Sequence, residues 1–175
     1  MKTKIHVGCG TKLYDDYVNV DCVETKGIDF VDNCISLDCL KGYEGTFEEV
    51  YMNAVYEHFY KDQRHQALRR WTQLLKKGGQ IKIDSIPDTG RMCQAYINKE
   101  KSFLYTGKDF SMEDMFGWVF GPCNEEPMRH KDIFDKQKLI EEFSKHEQLE
   151  IISVKNVFWG KETIDLNLNV VLEKK

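Results

Sequence analysis

The segment Lys4-Ile5-His6-Val7-Gly8-Cys9-Gly10 limits what this chain can fold into more than any other stretch. Ile5 and Val7 alternate with Lys4 and His6, the period of a half-buried strand. Gly8 and Gly10 then place two residues without a Cβ where that strand ends. The backbone can turn sharply there and approach a ligand closely. A second strand follows at Tyr17-Val18-Asn19-Val20-Asp21. Its terminal carboxylate, Asp21, is placed to accept hydrogen bonds from a ribose diol. Glycines after a first strand, with an acid closing the second, point to an adenosine-type cofactor.

At 175 residues the chain is long enough for one domain with a real core and too short for two ordinary ones. A hydrophobic share of 41% with 12% aromatics predicts a globular rather than a disordered chain. The net charge of −4 offers no electrostatic footprint for nucleic acid or an anionic membrane. No apolar run approaches the ~20 residues that span a bilayer. Met1-Lys2-Thr3-Lys4 runs straight into a strand, so no signal peptide is expected and the cytoplasm is the expected location. Cys9, Cys22, Cys34, Cys39, Cys93 and Cys123 are scattered without a C-x-x-C pair, which predicts reduced thiols and no metal.

Ile28 to Val31 reads as a third strand and Ile35 to Leu40 as a turn. Glu49 to Asn53 reads as a fourth strand. Asp62 is the expected cap of the clearest helix, whose apolar face is Leu68, Trp71, Leu74 and Leu75, with Gly78-Gly79 as its stop. Gln80 to Ile86 forms a fifth strand, closed by Pro87-Asp88, and a weaker helix covers Arg91 to Asn98. Phe134 and Leu139 are spaced as a hydrophobic staple around a cap at Asp135. Leu149 to Phe158 is a sixth strand; Ile164, Leu166, Leu168 and Val170 carry the period of a seventh. Alternating strands and helices imply a mainly parallel sheet, and the short link Trp159 to Thr163 makes the last two strands an antiparallel pair.

These segments, in this order, resemble the class I S-adenosylmethionine-dependent methyltransferases, and small bacterial members in particular. Val7-Gly8-Cys9-Gly10 is similar to the family's cofactor loop, and Val18 to Asp21 to its ribose-binding strand end. Ser36-Leu37-Asp38 resembles the turn whose acid meets the adenine amine. Tyr51 to Phe59 is similar to the segment after strand four that ends in Glu-His-Phe. Leu74-Leu75-Lys76-Lys77-Gly78-Gly79 resembles the "L-K-P-G-G" turn, with Lys77 for proline. The resemblance implies an α/β fold: a three-layer Rossmann-like sandwich over residues 1–175, mainly parallel with a C-terminal antiparallel hairpin. It also implies S-adenosylmethionine as cofactor and methyl transfer to a small polar acceptor, a sugar or sugar conjugate being the form considered.

On that resemblance Gly8, Cys9 and Gly10 lie along the donor's methionine end, with Asp21 at the ribose, Asp38 at the adenine and Asn53 near the switch point. His58 and His130 are the possible general bases, since histidine titrates near neutral pH. Departures accompany the match. His6 stands where many members carry an acid, and the span between the first two strands leaves a crossover helix short or missing. The bland reading of Arg64, Arg69 and Arg70 is a solvated helix face, of His65 and His146 solvated helix positions, and of Tyr56 and Asp88 the mouth of the site. Phe110, Met112, Met115, Phe116, Trp118 and Phe120 fall in a segment, 105–130, that fits either a core helix or an apolar substrate cover. Two rivals remain beside the enzyme: an inactive methyltransferase-like partner subunit, and a nicotinamide-dependent oxidoreductase. The partners expected are a small-molecule acceptor and a second copy or a partner methyltransferase, with no nucleic acid and no membrane.

Overall fold

The strand periodicity is realised in a computed structural model that describes residues 2–104, 107–121 and 128–175. Strands β1 (Lys4–Val7), β2 (Tyr17–Asp21), β3 (Phe30–Val31), β4 (Phe47–Asn53), β5 (Leu75–Pro87), β8 (Leu149–Val157) and β9 (Asn167–Lys174) make a seven-stranded sheet of order β3-β2-β1-β4-β5-β9-β8. A two-stranded ribbon joins β6 (Lys101–Ser102) to β7 (Lys108–Asp109). Pairings from β3 across to β5 are parallel, whereas β9 runs antiparallel to both β5 and β8. The expected parallel sheet with a C-terminal hairpin is therefore present. The helices are α1 (Lys61–Leu74), α2 (Thr89–Ile97), α3 (Met112–Phe120) and α4 (Lys136–Phe143). Among the described residues no helix is long and apolar enough to cross a membrane.

Strand alternation sends Ile5, Val7, Val20, Val50, Met52, Ile81, Ile83, Val170 and Leu172 to one fully buried face, where Leu68, Trp71 and Leu74 of α1 and Leu139 and Phe143 of α4 meet them. Asp135 caps α4 as expected, accepting the Lys138 N–H at 2.7 Å, and Phe134 and Leu139 are both buried beside it. The opposite face is polar and aromatic. His6 stacks on Tyr14 with ring centroids 4.8 Å apart and meets Tyr51 at 5.1 Å. Tyr17 donates to Glu49, which also pairs with Lys82 at 2.5 Å. No helix forms between β1 and β2, so a loop carrying Tyr14 lies over His6 in its place.

Several sequence expectations are corrected. Tyr60, not Asp62, is the N-cap of α1; Gln63 Oε1 reaches back to accept its N–H at 2.9 Å, and Asp62 sits in the first turn. Gly78-Gly79 does not stop the helix. It ends at Leu74 because Leu75 already pairs with Phe47 in the sheet, and the two glycines lie inside β5 where its pairing with β4 is irregular. A Cβ on Gly79 would stand 3.0 Å from the Phe47 carbonyl oxygen, so the close approach of the strands needs glycine. β9 starts at Asn167 rather than Ile164. Ile164 and Leu166 instead fill a second core cluster with Met92, Ala95, Phe110, Trp118 and Val119.

Arg64 is not on a solvated face. It is fully buried, held by Glu142 through Nε at 2.8 Å and Nη2 at 2.8 Å, and by Asp132 at 2.9 Å. Arg70 likewise folds inward, donating to the Ser36 carbonyl at 2.9 Å and to Glu44 at 2.6 Å. Tyr56 does not line an opening: it is fully buried and donates to Glu142 at 2.6 Å. Asp88 is buried as the cap of α2 and accepts from Arg91 N–H and from Asn156. His65 and His146 come together, Nδ1 to Nε2, at 2.9 Å.

Candidate functional site

The parallel strands deliver their C-terminal ends to one edge, where ligands of open α/β sheets bind. β1 ends at Gly8, whose φ of +64° belongs to the left-handed region and whose absent Cβ would lie 2.5 Å from Val55 Cγ2. Only glycine lets the β1 turn and the β4 turn touch there. Asp21, at the end of β2, aims its carboxylate at the bend: Oδ2 accepts the Gly10 N–H at 2.8 Å and Oδ1 the Val23 N–H at 3.0 Å. A carboxylate offers about four acceptor sites, so two remain for a diol.

Cys9 is buried, and burial first and Asp21 second push its thiol up to about 11, so it stays protonated. Asn53 closes β4 with a buried Oδ1 that meets no partner among the described residues. Asp38 stands apart from these, half-exposed and paired with Lys41 at 3.0 Å. His6 faces the aromatic layer on the sheet rather than the bend.

Beside this bend, past Val55, opens a cavity of about 400 Å³ lined by Ala54, Glu57, Ser85, Trp118, His130, Trp159 and Asn167 among others. Ala54 and Ser85 hold left-handed backbone at φ 53° and 65°, unusual for residues with a Cβ. The Asp84 carbonyl accepts the Ala54 N–H at 3.0 Å, and Asn169 Oδ1 accepts the Ser85 N–H at 3.0 Å. Among the described residues, Glu57 Oε2, Trp118 Nε1 and both amide atoms of Asn167 are buried with no partner. Buried polar atoms are nearly always satisfied, so such a group of orphans around one hollow offers hydrogen-bonding capacity to whatever fills it.

The 3-10 turn Tyr56–His58 puts Glu57 and His58 opposite His130 from the segment after α3. The two imidazole centroids are 5.0 Å apart. His58 Nδ1 lies 3.3 Å from the Arg129 carbonyl oxygen and His130 Nδ1 3.1 Å from that of Val119. Burial, opposed by nothing but a backbone hydrogen bond, pushes the Glu57 carboxyl up to about 8. Burial lowers His58, with Lys131 adding to it, and lowers His130 to about 4, with His58 adding to it. Both rings are neutral at pH 7.

The two histidines singled out from sequence are thus neighbours, while Glu57 between them was not recognised as a site residue. Its signal is the Glu-His pair itself, directly after a strand end. Trp159, Ser85 and Asn167 carried no sequence signal, because hairpin and bulge bring them in from distant segments. The Arg64–Glu142 network holds this side together: Tyr56 precedes Glu57 and Asp132 follows His130, and both are tied to that buried pair. Of the aromatic segment, Phe110 and Trp118 are buried whereas Met112, Phe116 and Phe120 are exposed. Tyr105 and Cys123 lie outside the described residues.

The arrangement has close counterparts in shape. A Burkholderia thailandensis 1,6-didemethyltoxoflavin-N1-methyltransferase, solved with its acceptor and S-adenosylhomocysteine, superposes with a TM-score of 0.63 at 16% identity, over 98% of this chain and 70% of its own. An S-adenosylmethionine-dependent methyltransferase from Methanosarcina mazei gives 0.58 at 14% identity, over 98% of this chain and 91% of its own. One from Thermotoga maritima, described as a possible histamine N-methyltransferase, gives 0.54 at 16% identity, over 99% and 81%. This chain has the class I methyltransferase fold. No family model matches it, and no curated protein matches it in sequence.

Proposed function

We propose that the protein transfers a methyl group from S-adenosylmethionine to a small polar acceptor seated in the Glu57–Asn167 cavity. The observation that carries this reading is the junction at Gly8. There a glycine bend with a carboxylate trained on it touches Val55, and the adjoining Ala54 lines a hollow ringed by unpartnered polar atoms. Gly8, Cys9 and Gly10 would run along the donor's methionine end, Asp21 would take the ribose hydroxyls, and Asn53 would complete the floor. Asp38, paired with Lys41 and accepting from Ser36, keeps acceptor sites that an adenine amine would use.

Methyl transfer from a sulfonium is an in-line displacement in which the protein aligns the two reactants and excludes water. The sulfonium supplies its own leaving group. What this chain's residues add is orientation and a place for the acceptor's proton. Trp118 and Trp159 offer flat apolar surface, Trp118 with an unpartnered indole N–H, and Asn167 offers both a donor and an acceptor. That combination suits a hydroxylated ring, a sugar or its conjugate included. His130, a neutral imidazole on the cavity wall, would receive a hydroxyl proton, with the His58 ring packed beside it. The α3 segment would act as the cover on the acceptor side.

Calorimetric titration of the protein with S-adenosylhomocysteine tests the reading. Binding in the micromolar range, lost in Asp21→Ala, is the expected outcome. No heat at high micromolar ligand would overturn it.

A further inference from the structure

We propose that Glu57, His58 and His130 form a binding site for a first-row divalent cation of the zinc type, set into the wall of the acceptor cavity. One ligating atom from each residue lies within 4.8 Å of those of the other two. Atoms bound to one ion at ~2.0–2.2 Å stand ~3–4 Å apart, so modest side-chain rotation closes the triangle. The metal role deepens the acceptor reading above and rests on it; the site itself does not.

Three features of the geometry argue for an ion rather than for a hydrogen-bonded cluster. Each imidazole places Nδ1 by a backbone carbonyl, Arg129 for His58 and Val119 for His130. A histidine whose Nδ1–H is spent on a carbonyl presents the Nε2 lone pair, and metal-ligating histidines are commonly fixed in this way. Second, Glu57 is 2% exposed and its Oε2 has no partner among the described residues. Burying a carboxylate with one oxygen unmatched is costly, and a cation bound there would answer it. Third, Glu57 and His130 both line the cavity, so an ion held by three protein ligands would keep an open position facing the acceptor.

Two imidazoles and one carboxylate select zinc-like ions over magnesium or calcium, which take oxygen ligands. In that open position the ion would bind an acceptor hydroxyl as a Lewis acid. With both imidazoles ligating the ion and no longer free to act as bases, the O–H bond breaks and its proton passes to water; the oxygen's electron pair forms the bond to the donor's methyl carbon. The C–S electron pair returns to sulfur, leaving a neutral thioether and a methyl ether.

The test is to strip the full-length protein with chelator and titrate it with cobalt(II), following visible absorption, and with zinc(II) by calorimetry. The expected result is one tight ion per chain with cobalt bands of low coordination number. Glu57→Gln, His58→Ala and His130→Ala should each weaken binding at least tenfold. His65→Ala, which opens the other histidine pair, should leave it unchanged. Circular dichroism and melting curves establish that each variant is folded, and Glu57→Gln keeps the shape if an alanine variant does not fold.

Uptake lost with His65→Ala and kept in the other three would overturn the site, as would no uptake at 100 µM metal. Titrating the same stripped protein with S-adenosylhomocysteine separates the two proposals. Cofactor binding without metal uptake removes the ion and leaves methyl transfer. Metal uptake without cofactor binding does the reverse.

Discussion

At the Gly8–Gly10 bend itself the polar groups are answered within the fold: Asp21 accepts two backbone N–H groups, and Gly8 and Cys9 donate to the Val20 carbonyl, although Asn53 Oδ1 at the end of β4 has no partner among the described residues. On the Glu57 side they are not. Glu57, Trp118 and Asn167 keep buried atoms with no partner among the described residues. The first wall is built of backbone and stands preorganised for whatever it binds. The second is built of side chains at a standing cost of ~1–3 kcal/mol for each unmet group, relieved when a ligand arrives. A wall of that kind needs a strong support behind it, and the buried Arg64–Glu142–Tyr56 network supplies one. Under the proposed function the first wall would hold the cofactor and the second would discriminate among acceptors.

The largest effect should come from removing that support. Arg64→Ala leaves Glu142 buried and uncompensated, which destabilises by roughly 3–5 kcal/mol for a broken buried ion pair. Urea denaturation of the two proteins measures it, and a difference under ~1 kcal/mol would show that the second wall stands without the network.

Next in size is the seam between the walls. Gly8→Ala puts a Cβ 2.5 Å from Val55 Cγ2 on a left-handed backbone. Left-handed strain and overpacking together amount to roughly 2–5 kcal/mol. Val55→Ala in the same chain should recover the overpacking part and not the strain. If the double variant is no more stable than Gly8→Ala, the two turns do not touch as described. A smaller loss is expected from Asp21→Ala: cofactor affinity falls by roughly 1–3 kcal/mol, read by calorimetry. Unchanged affinity in the folded variant would take Asp21 out of the site.

The two walls also differ in how far they could be read from sequence. The donor side is local: strand alternation, two glycines and a strand-end acid lie within residues 4–21, and each carries a rule that needs no knowledge of the rest of the chain. The acceptor side depends on pairs such as Arg64 with Glu142 and Glu57 with His130, whose members come from separate elements. An arginine on an amphipathic helix reads as solvated until its partners are known, and Glu57 reads as an ordinary turn residue for the same reason. Gly78-Gly79 shows the other limit. Glycine breaks a helix in isolation, yet here the sheet claims Leu75 first and the glycines serve a close strand contact.

Acidification gives the smallest effect and the finest test of the comparison, because each wall leans on a group that titrates differently. Behind the donor strand, burial holds His6 below its ordinary value, with Asn19 opposing in part. The unfolded chain, with histidine near ~6.5, therefore binds the proton more readily. His6 contributes its stability in full above about pH 6.5, and that contribution drains away as pH falls through its lower folded value. Glu142 behind the acceptor wall is also depressed: burial works upward, but Arg64 and then Tyr56 outweigh it. Its contribution is intact above the unfolded value of ~4.3 and is lost only as pH drops below that.

Protonation of Glu57, held at about 8 in the fold, stabilises the protein as pH falls toward ~4.3 and so runs against these losses. Read as differences from the parent between pH 8 and 3.5, the denaturation midpoints should therefore show two stages of loss, the upper softened in His6→Gln and the lower in Glu142→Gln. Other buried histidines such as His146 add to the upper stage, which is why the slope in His6→Gln should shrink rather than vanish. An upper stage untouched by His6→Gln would mean that the aromatic layer of Tyr14 and Tyr51, not the neutral ring between them, keeps the donor strand in place.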